Sequence, residues 1–400
     1  MRDPFSLLRW LARATAVSVL AAAAMFAVLA AAMVVPAGPA RAASLTPVAS
    51  FGSNPGNLAL YAYRPDNLPS RAPAVVALHG CSQSANDYFT YSGWRKYADR
   101  WGFALLLPEQ KNTNNSSRCF NWFEPGDTSR GSGEAASIRN MISYAVSSYG
   151  TDPGRVYVTG LSAGGAMTAA MLAAYPDAIA GGSVVAGVPY GCATTMATAF
   201  SCMNPGVDKT PAQWGDLVRN AYPGYHGPRP KVAIWHGTSD YVVTAANAIE
   251  SRDQWTNVLG VAATPTSTVT LPAATTLEVY GSDVVRLYRI AGMGHGTPVD
   301  PGSGLDQCGT AGAYFLDTIC SAYRDALFFG LAGEEEPGDP GDPDPVCVTA
   351  NNYTHVQAGR AYHSLGYAYA RGSNQFMGLY NTFATTVLRQ TGPDHWVVGC

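Results

Sequence analysis

Residues Val156–Gly165 read VYVTGLSAGG, and this stretch restricts the possible folds more tightly than any other. A β-branched apolar run suits a strand buried on both faces, and the small residues that follow suit a helix packed close to its neighbours. Between them lies Gly160-Leu161-Ser162-Ala163-Gly164, a G-x-S-x-G turn. A serine on a sharp strand-to-helix corner crowds its surroundings, and glycine has no Cβ to collide there. Similar apolar runs recur at Ala74–Leu78, Phe103–Leu107, Gly182–Ala186, Val232–Trp235 and Val284–Ile290. Helix-like stretches separate them at Glu134–Ser148, Ala163–Tyr175, Ala245–Leu259 and Ala311–Phe329. Apolar strands alternating with helices predict a largely parallel sheet covered on both faces, the α/β class.

The corner also carries chemistry. A hydroxyl lifted clear of a sheet beside a helix N-terminus is placed to act as a nucleophile, because a developing anion is favoured there. Serine needs a base, and the base needs an orienting acid. In an α/β-hydrolase fold these follow in the order Ser, Asp or Glu, His, each after a strand. Strand Val232–Trp235 leads into His236-Gly-Thr-Ser-Asp240, which makes Asp240 the expected acid; Asp283 precedes its strand and is the weaker candidate. The next strand leads into Gly292-Met-Gly-His295-Gly, a histidine with backbone freedom around it, and His295 is the expected base. His236 competes for the base role, but it shares a loop with Asp240 directly at a strand end and is expected to help fix that loop. An oxyanion hole needs two backbone N–H donors, one after the nucleophile and one from an earlier loop. Ala163 is the first candidate and Cys81, in the loop after Ala74–Leu78, the second, with His79 beside it.

The ends of the chain carry other signals. Arg2, Arg9 and Arg13 precede an uncharged run from Ala14 to Val35, and Ala40-Arg41-Ala42 forms a small-x-small site. That is the layout of a secretory signal peptide over residues 1–42, cleaved after Ala42, although a run of 22 uncharged residues could also span a bilayer. A secreted, extracellular protein, free of membrane after cleavage, is the expectation. The eight cysteines all lie beyond this segment, as export to an oxidising compartment would favour. Sequence proximity suggests the pairs Cys81–Cys119, Cys192–Cys202, Cys308–Cys320 and Cys347–Cys400; no close Cys/His spacing points to a metal. Gly333–Pro345 reads GEEEPGDPGDPDP, an extended linker within 333–346 that divides an α/β catalytic body, 43–332, from a tail, 347–400. Its six acids account for the net charge of −3, which is +3 without them. With 47% hydrophobic and 13% charged residues the chain is globular, and no basic stripe or phosphate loop predicts nucleic acid or a cofactor.

Six motifs in order, LHGC (Leu78–Cys81), RCFNWF (Arg118–Phe123), GLSAGG (Gly160–Gly165), AGVPYGCA (Ala186–Ala193), WHGTSD (Trp235–Asp240) and GMGHG (Gly292–Gly296), resemble extracellular polyhydroxybutyrate depolymerases. The wider group of similar esterases also contains feruloyl and acetylxylan esterases. The resemblance implies an α/β-hydrolase fold, Ser162 as nucleophile, Asp240 as acid, His295 as base and His79 beside the oxyanion hole. Trp122, Tyr190 and Tyr241, within or beside these motifs, are the candidates for contact with substrate. The tail, with Tyr353, Tyr362, Tyr367, Tyr369, Phe376, Tyr380, Phe383 and Trp396 among its 54 residues, resembles the small β-rich substrate-binding domain of those enzymes. So small a domain needs a closing bridge, Cys347–Cys400, and half of its aromatics are expected in its core. Exposed ones would suit a solid polyester surface, which offers area but few charges. The implied protein is a monomeric serine esterase acting on polyhydroxybutyrate or a related polyester; a feruloyl or acetylxylan esterase gripping polysaccharide is the alternative. No fibronectin-like or Thr-rich linker domain joins the two parts; the acidic spacer stands in its place.

Overall fold

The computed structural model describes residues 44–66, 68–332, 347–392 and 395–399. The expected signal segment, the acidic linker and Cys400 lie outside the described residues. Ten strands form one sheet: β1 (Thr46–Pro47), β2 (Ala59–Tyr63), β3 (Ala74–Leu78), β4 (Ala104–Glu109), β5 (Val156–Leu161), β6 (Gly181–Val185), β7 (Lys231–Gly237), β8 (Ser267–Leu271), β9 (Thr275–Tyr280) and β10 (Val285–Ile290). Their spatial order is β1-β2-β4-β3-β5-β6-β7-β10-β9-β8. The six strands from β4 to β10 in that order are mutually parallel, and the outer pairs at both edges are antiparallel.

Period-two alternation explains why the central strands read as unbroken apolar runs. Val75, Ala77, Leu105, Leu107, Ala233 and Trp235 enter the core on one face. Val76, Leu78, Leu106, Val158, Val232 and Ile234 enter the core on the other. Both faces are dry, so no strand position can be polar without a cost. Helices Gly133–Tyr149, Ala163–Ala174 and Ala246–Leu259 cover the second face, and Ala85–Tyr91, Trp94–Trp101 and Ser321–Phe329 the first.

One expected helix is corrected. Ala311–Phe329 is helical only from Ser321; its first part forms β12 (Phe315–Asp317), which pairs in parallel with β11 (Thr297–Val299). Cys320 ends the extended part: it is bridged to Cys308 and its sulfur caps the helix by accepting the Tyr323 N–H at 3.2 Å. Cys81–Cys119 and Cys192–Cys202 are also paired as expected, and Cys347 is disulfide-bonded. Among the described residues no helix is long and apolar enough to cross a membrane.

The tail is β-rich. Strands β13 (Cys347–Asn351), β17 (Thr385–Gly392) and β18 (His395–Val398) form one antiparallel sheet, and β14 (Ala361–Ser364), β15 (Tyr367–Ala370) and β16 (Phe376–Leu379) another. Its small core holds Ala361, Ala368, Ala370, Met377, Leu388 and Trp396. The expectation that half the aromatics would be core is too high. Trp396 is buried, whereas Tyr353, Tyr362, Tyr367, Phe376 and Phe383 are exposed. Alanines on the inner face of β14–β15 leave the larger rings to the outer one.

Candidate active site

Because β5, β6, β7 and β10 are parallel neighbours, the segments leaving their C-terminal ends emerge along one edge of the sheet. Ser162 directly follows β5, Asp240 lies three residues past β7 and His295 five residues past β10. Asp283 is excluded from this edge: it precedes β10 and is engaged by the Arg286 guanidinium at 2.7 and 2.8 Å.

Ser162 has φ 56° and ψ −115°, a backbone region that costs a residue with a Cβ about 1–3 kcal/mol. The corner is held by the Ser162 N–H on Val185 O at 2.9 Å and by Ala166 N–H on Ser162 O at 2.8 Å. Its glycines are sterically required. A Cβ at Gly164 would sit 2.4 Å from Leu78 O and 2.6 Å from His79 O, so the helix after Ser162 lies directly on the segment leading to Cys81.

The His295 Nδ1–H donates to Asp240 Oδ2 at 2.7 Å, which leaves Nε2 as the basic nitrogen. Asp240 Oδ1 accepts the N–H groups of Val242 and Val243, each at 2.9 Å. Burial raises the Asp240 carboxyl, but hydrogen bonds from His236 and His295 and the charge of His295 outweigh it and hold the group well below the usual carboxylate range. His236 anchors the loop as expected: its Nε2–H donates to Val243 O at 2.8 Å and lies 3.5 Å from Asp240 Oδ2. Among the described residues Ser162 Oγ makes no hydrogen bond to the His295 ring. Contacts of this kind often tighten only in the substrate complex.

Ala163 opens the helix Ala163–Ala174, so its N–H is among those that helix geometry leaves without an intrahelical partner. The Cys81 N–H likewise meets no acceptor among the described residues. His79 lies beside the Cys81 loop but, though grouped with the expected oxyanion residues, has no donor free for the hole. It is fully buried; its Nε2 accepts the Gln110 N–H at 3.0 Å, so the proton sits on Nδ1, which donates to Gly80 O at 2.7 Å. Both ring nitrogens are thereby occupied, and burial lowers the imidazole to about 4, keeping it neutral. His79 fixes the loop that presents Cys81 and offers no proton of its own to an oxyanion.

Two cavities meet at Cys81. One, of about 550 Å³, is walled by Trp122, Phe123, Met196 and Phe200. The other, of about 450 Å³, is walled by Tyr91, Tyr314 and Phe315, and the Tyr314 ring lies 6.2 Å from that of His295. Of the expected substrate contacts, Trp122 lines the first cavity. Tyr190 lines neither: its backbone is tied to the Gln254 side chain and its ring packs against the core. Tyr241 lines neither and projects into solvent beside Asp240, 83% exposed. Phe200 and Tyr314 escaped notice because nothing local distinguishes them from core aromatics. Among the described residues no group of His, Cys, Asp and Glu is arranged to hold a metal ion.

The family model described as "Esterase PHB depolymerase" matches residues 57–271. Poly(3-hydroxyalkanoate) depolymerase C of Paucimonas lemoignei is 53% identical over 294 residues, 72% of this chain and 71% of that protein. The chain belongs to the esterase PHB depolymerase family. Feruloyl esterase B of Talaromyces funiculosus is 37% identical over 67% of this chain and 77% of its own length. Among solved structures, an acetyl xylan esterase from Aspergillus awamori superposes with a TM-score of 0.63 at 28% identity, over 72% of this chain and all of that one. This member of the family is a carboxylic-ester hydrolase with an α/β-hydrolase fold, and its serine corner, buried acid and histidine each follow a parallel strand on one edge of the sheet.

Proposed function

We propose that this family member is a secreted serine esterase that hydrolyses poly(3-hydroxybutyrate) or a related polyester to hydroxy-acid oligomers. Ser162 Oγ attacks the ester carbonyl while His295 Nε2 takes its proton. Asp240 holds the ring in the tautomer with Nδ1 protonated and stabilises the imidazolium. The N–H groups of Ala163 and Cys81 receive the oxyanion. His295 then protonates the departing hydroxyl end, and water, activated by the same ring, attacks the acyl-enzyme, so that the acyl group leaves as a carboxylic acid and His295 returns the proton to Ser162 Oγ. The chemistry is supported by the His295–Asp240 bond of 2.7 Å on the edge that carries the strained Ser162. The polymer is supported by one observation, the 53% identity to a poly(3-hydroxyalkanoate) depolymerase against 33–40% to feruloyl and acetylxylan esterases. Three disulfides in the body favour export.

The tail is the proposed grip on the solid. On the outer face of β14–β16, Tyr362 stacks on Tyr369 at 5.5 Å, and Tyr369 and Tyr367 meet Phe376 at 5.7 and 5.5 Å. Across residues 361–388, which hold all four rings, Arg371 is the one Lys, Arg, Asp or Glu, so an uncharged polymer surface meets rings with few ions to desolvate. Clearing of a polyhydroxybutyrate suspension beside release of ferulate or acetate from xylan, with purified mature protein, tests the substrate. Turnover of xylan esters with no clearing would establish the carbohydrate-esterase reading, which the acetyl xylan esterase fold match favours.

A further inference from the structure

The second oxyanion donor sits in a loop, and a loop cannot hold an N–H still unless something rigid holds the loop. Gly80 O and Cys81 N–H belong to one planar peptide unit and point in opposite directions. The His79 Nδ1–H bond to Gly80 O therefore fixes the direction of the Cys81 N–H and polarises it as a donor. The proton is on Nδ1 because the Gln110 N–H occupies Nε2.

Gln110 is in turn held from all sides. Its Oε1 accepts the Lys111 N–H at 3.0 Å and the Asn114 amide at 2.8 Å. Its Nε2 donates to Cys119 O at 3.2 Å and to Glu134 Oε1. Cys119 is the residue disulfide-bonded to Cys81. Glu134 Oε2 accepts the Asn121 N–H at 2.9 Å, one residue before the cavity wall Trp122. Glu134 itself is 1% exposed in the first turn of the long helix Gly133–Tyr149, with its own N–H on Asp127 Oδ1 at 3.1 Å. A buried carboxyl is costly without such partners, and here each partner belongs to a segment that builds the oxyanion side of the site.

We propose that Glu134 and Gln110 are positioning residues of the esterase, which anchor both arms of the Cys81–Cys119 loop pair to the helix Gly133–Tyr149 and so hold the Cys81 N–H where the oxyanion forms. They touch neither substrate nor nucleophile and act through His79, Cys119 and Asn121. The inference rests on the proposed roles of Ser162 as nucleophile and of the Cys81 N–H as oxyanion donor.

Glu134→Gln is the sharpest probe, since it keeps the volume but has one acceptor oxygen where two N–H donors converge. Whichever way its amide turns, one tether is lost. Gln110→Ala removes the other half of the contact. Both variants are assayed on p-nitrophenyl butyrate, with an alkyl boronic acid as the inhibitor whose tetrahedral serine adduct imitates the charged intermediate. A displaced oxyanion donor lowers kcat about tenfold, with KM within twofold and the boronate inhibition constant raised by the same factor as kcat falls. A residue that served stability alone would lower Tm and leave kcat and boronate affinity within twofold, which overturns the proposal; a rise in KM alone does the same. If Gln110→Ala does not fold, the isosteric Glu134→Gln decides. Labelling of wild-type protein by a fluorophosphonate, mapped to Ser162, is the control: no label there removes the premise and refutes both readings, whereas labelled wild type with unaltered variants refutes this one alone.

Discussion

Replacing Asp240 by Asn tests the acid without disturbing the volume of the site. Oδ1 receives two backbone N–H groups at 2.9 Å, and Oδ2 faces His295 at 2.7 Å and His236 Nε2 at 3.5 Å. An asparagine must choose which side receives its oxygen. Turning the amide nitrogen toward Val242 and Val243 would leave two buried N–H groups unsatisfied, at about 1–3 kcal/mol each. The oxygen therefore stays on the backbone side and the NH₂ faces His295. A donor facing Nδ1 forces the proton onto Nε2, the nitrogen that has to receive the serine proton. The imidazole is then present but in the wrong tautomer, a defect worth ~10⁴ in kcat, or about 5.5 kcal/mol of barrier. KM for p-nitrophenyl butyrate should change little, because neither the cavities at Cys81 nor the oxyanion donors are touched. The assay is steady-state hydrolysis at neutral pH with circular dichroism to confirm folding. A folded Asp240→Asn protein with kcat within about tenfold of wild type would refute the tautomer reasoning.

Other outcomes follow from the same geometry. Gly164→Ala places a Cβ 2.4 Å from Leu78 O, a backbone collision expected to cost about 3 kcal/mol or more, measured by urea unfolding, together with loss of esterase activity. The Asp240 carboxyl lies below its ordinary value of 3.8, so its contribution to stability is fully present above that pH and is lost as pH falls through the folded value; Tm measured across pH 2–5 should show a steeper fall in wild type than in Asp240→Asn. Burial pushes the Glu134 carboxyl up, while the Asn121 N–H and the Gln110 amide favour the charged form that accepts them both. Serines at Tyr362, Tyr367 and Phe376 should lower adsorption to polymer film at least about tenfold, since each ring contributes apolar area at roughly 25 cal/mol/Å².

The placement of the candidate triad was legible because a parallel sheet couples sequence to space. Once β5, β7 and β10 are recognised as apolar runs, whatever follows each of them emerges on the same edge, and Ser162, Asp240 and His295 are picked out by that position alone. The steric demand on Gly160 and Gly164 is equally local, and so was readable. The edge strands were not. β8 is a largely exposed run, STVTL, and β2 alternates between buried and half-buried positions. Strands with one wet face lose the unbroken apolar signal by which the central six are found. Ala311–Phe329 misled for a related reason: its small and apolar residues fit a helix, while the pairing of β12 with the distant β11 and the capping of the Tyr323 N–H by the Cys320 sulfur are tertiary facts.

The oxyanion side marks where sequence reasoning stops. His79 stands next to the loop in the sequence, and adjacency together with the family resemblance set it beside the oxyanion hole. Its actual work is decided by Gln110, 31 positions away, whose backbone N–H assigns the tautomer. Gln110 is placed in turn by Glu134, 24 positions further on. No motif records such a chain, because each link is a hydrogen bond between segments that become neighbours only after the sheet has formed. One clue was nevertheless present: Glu134 opens a helix whose next residues, Ala135 to Ile138, are buried or nearly so. A carboxylate in such company must have partners, and asking which loop supplies them leads to Asn121 and Gln110. The candidate triad can thus be read from strand order, whereas the proposed donor beside it depends on a buried polar network that only the fold assembles.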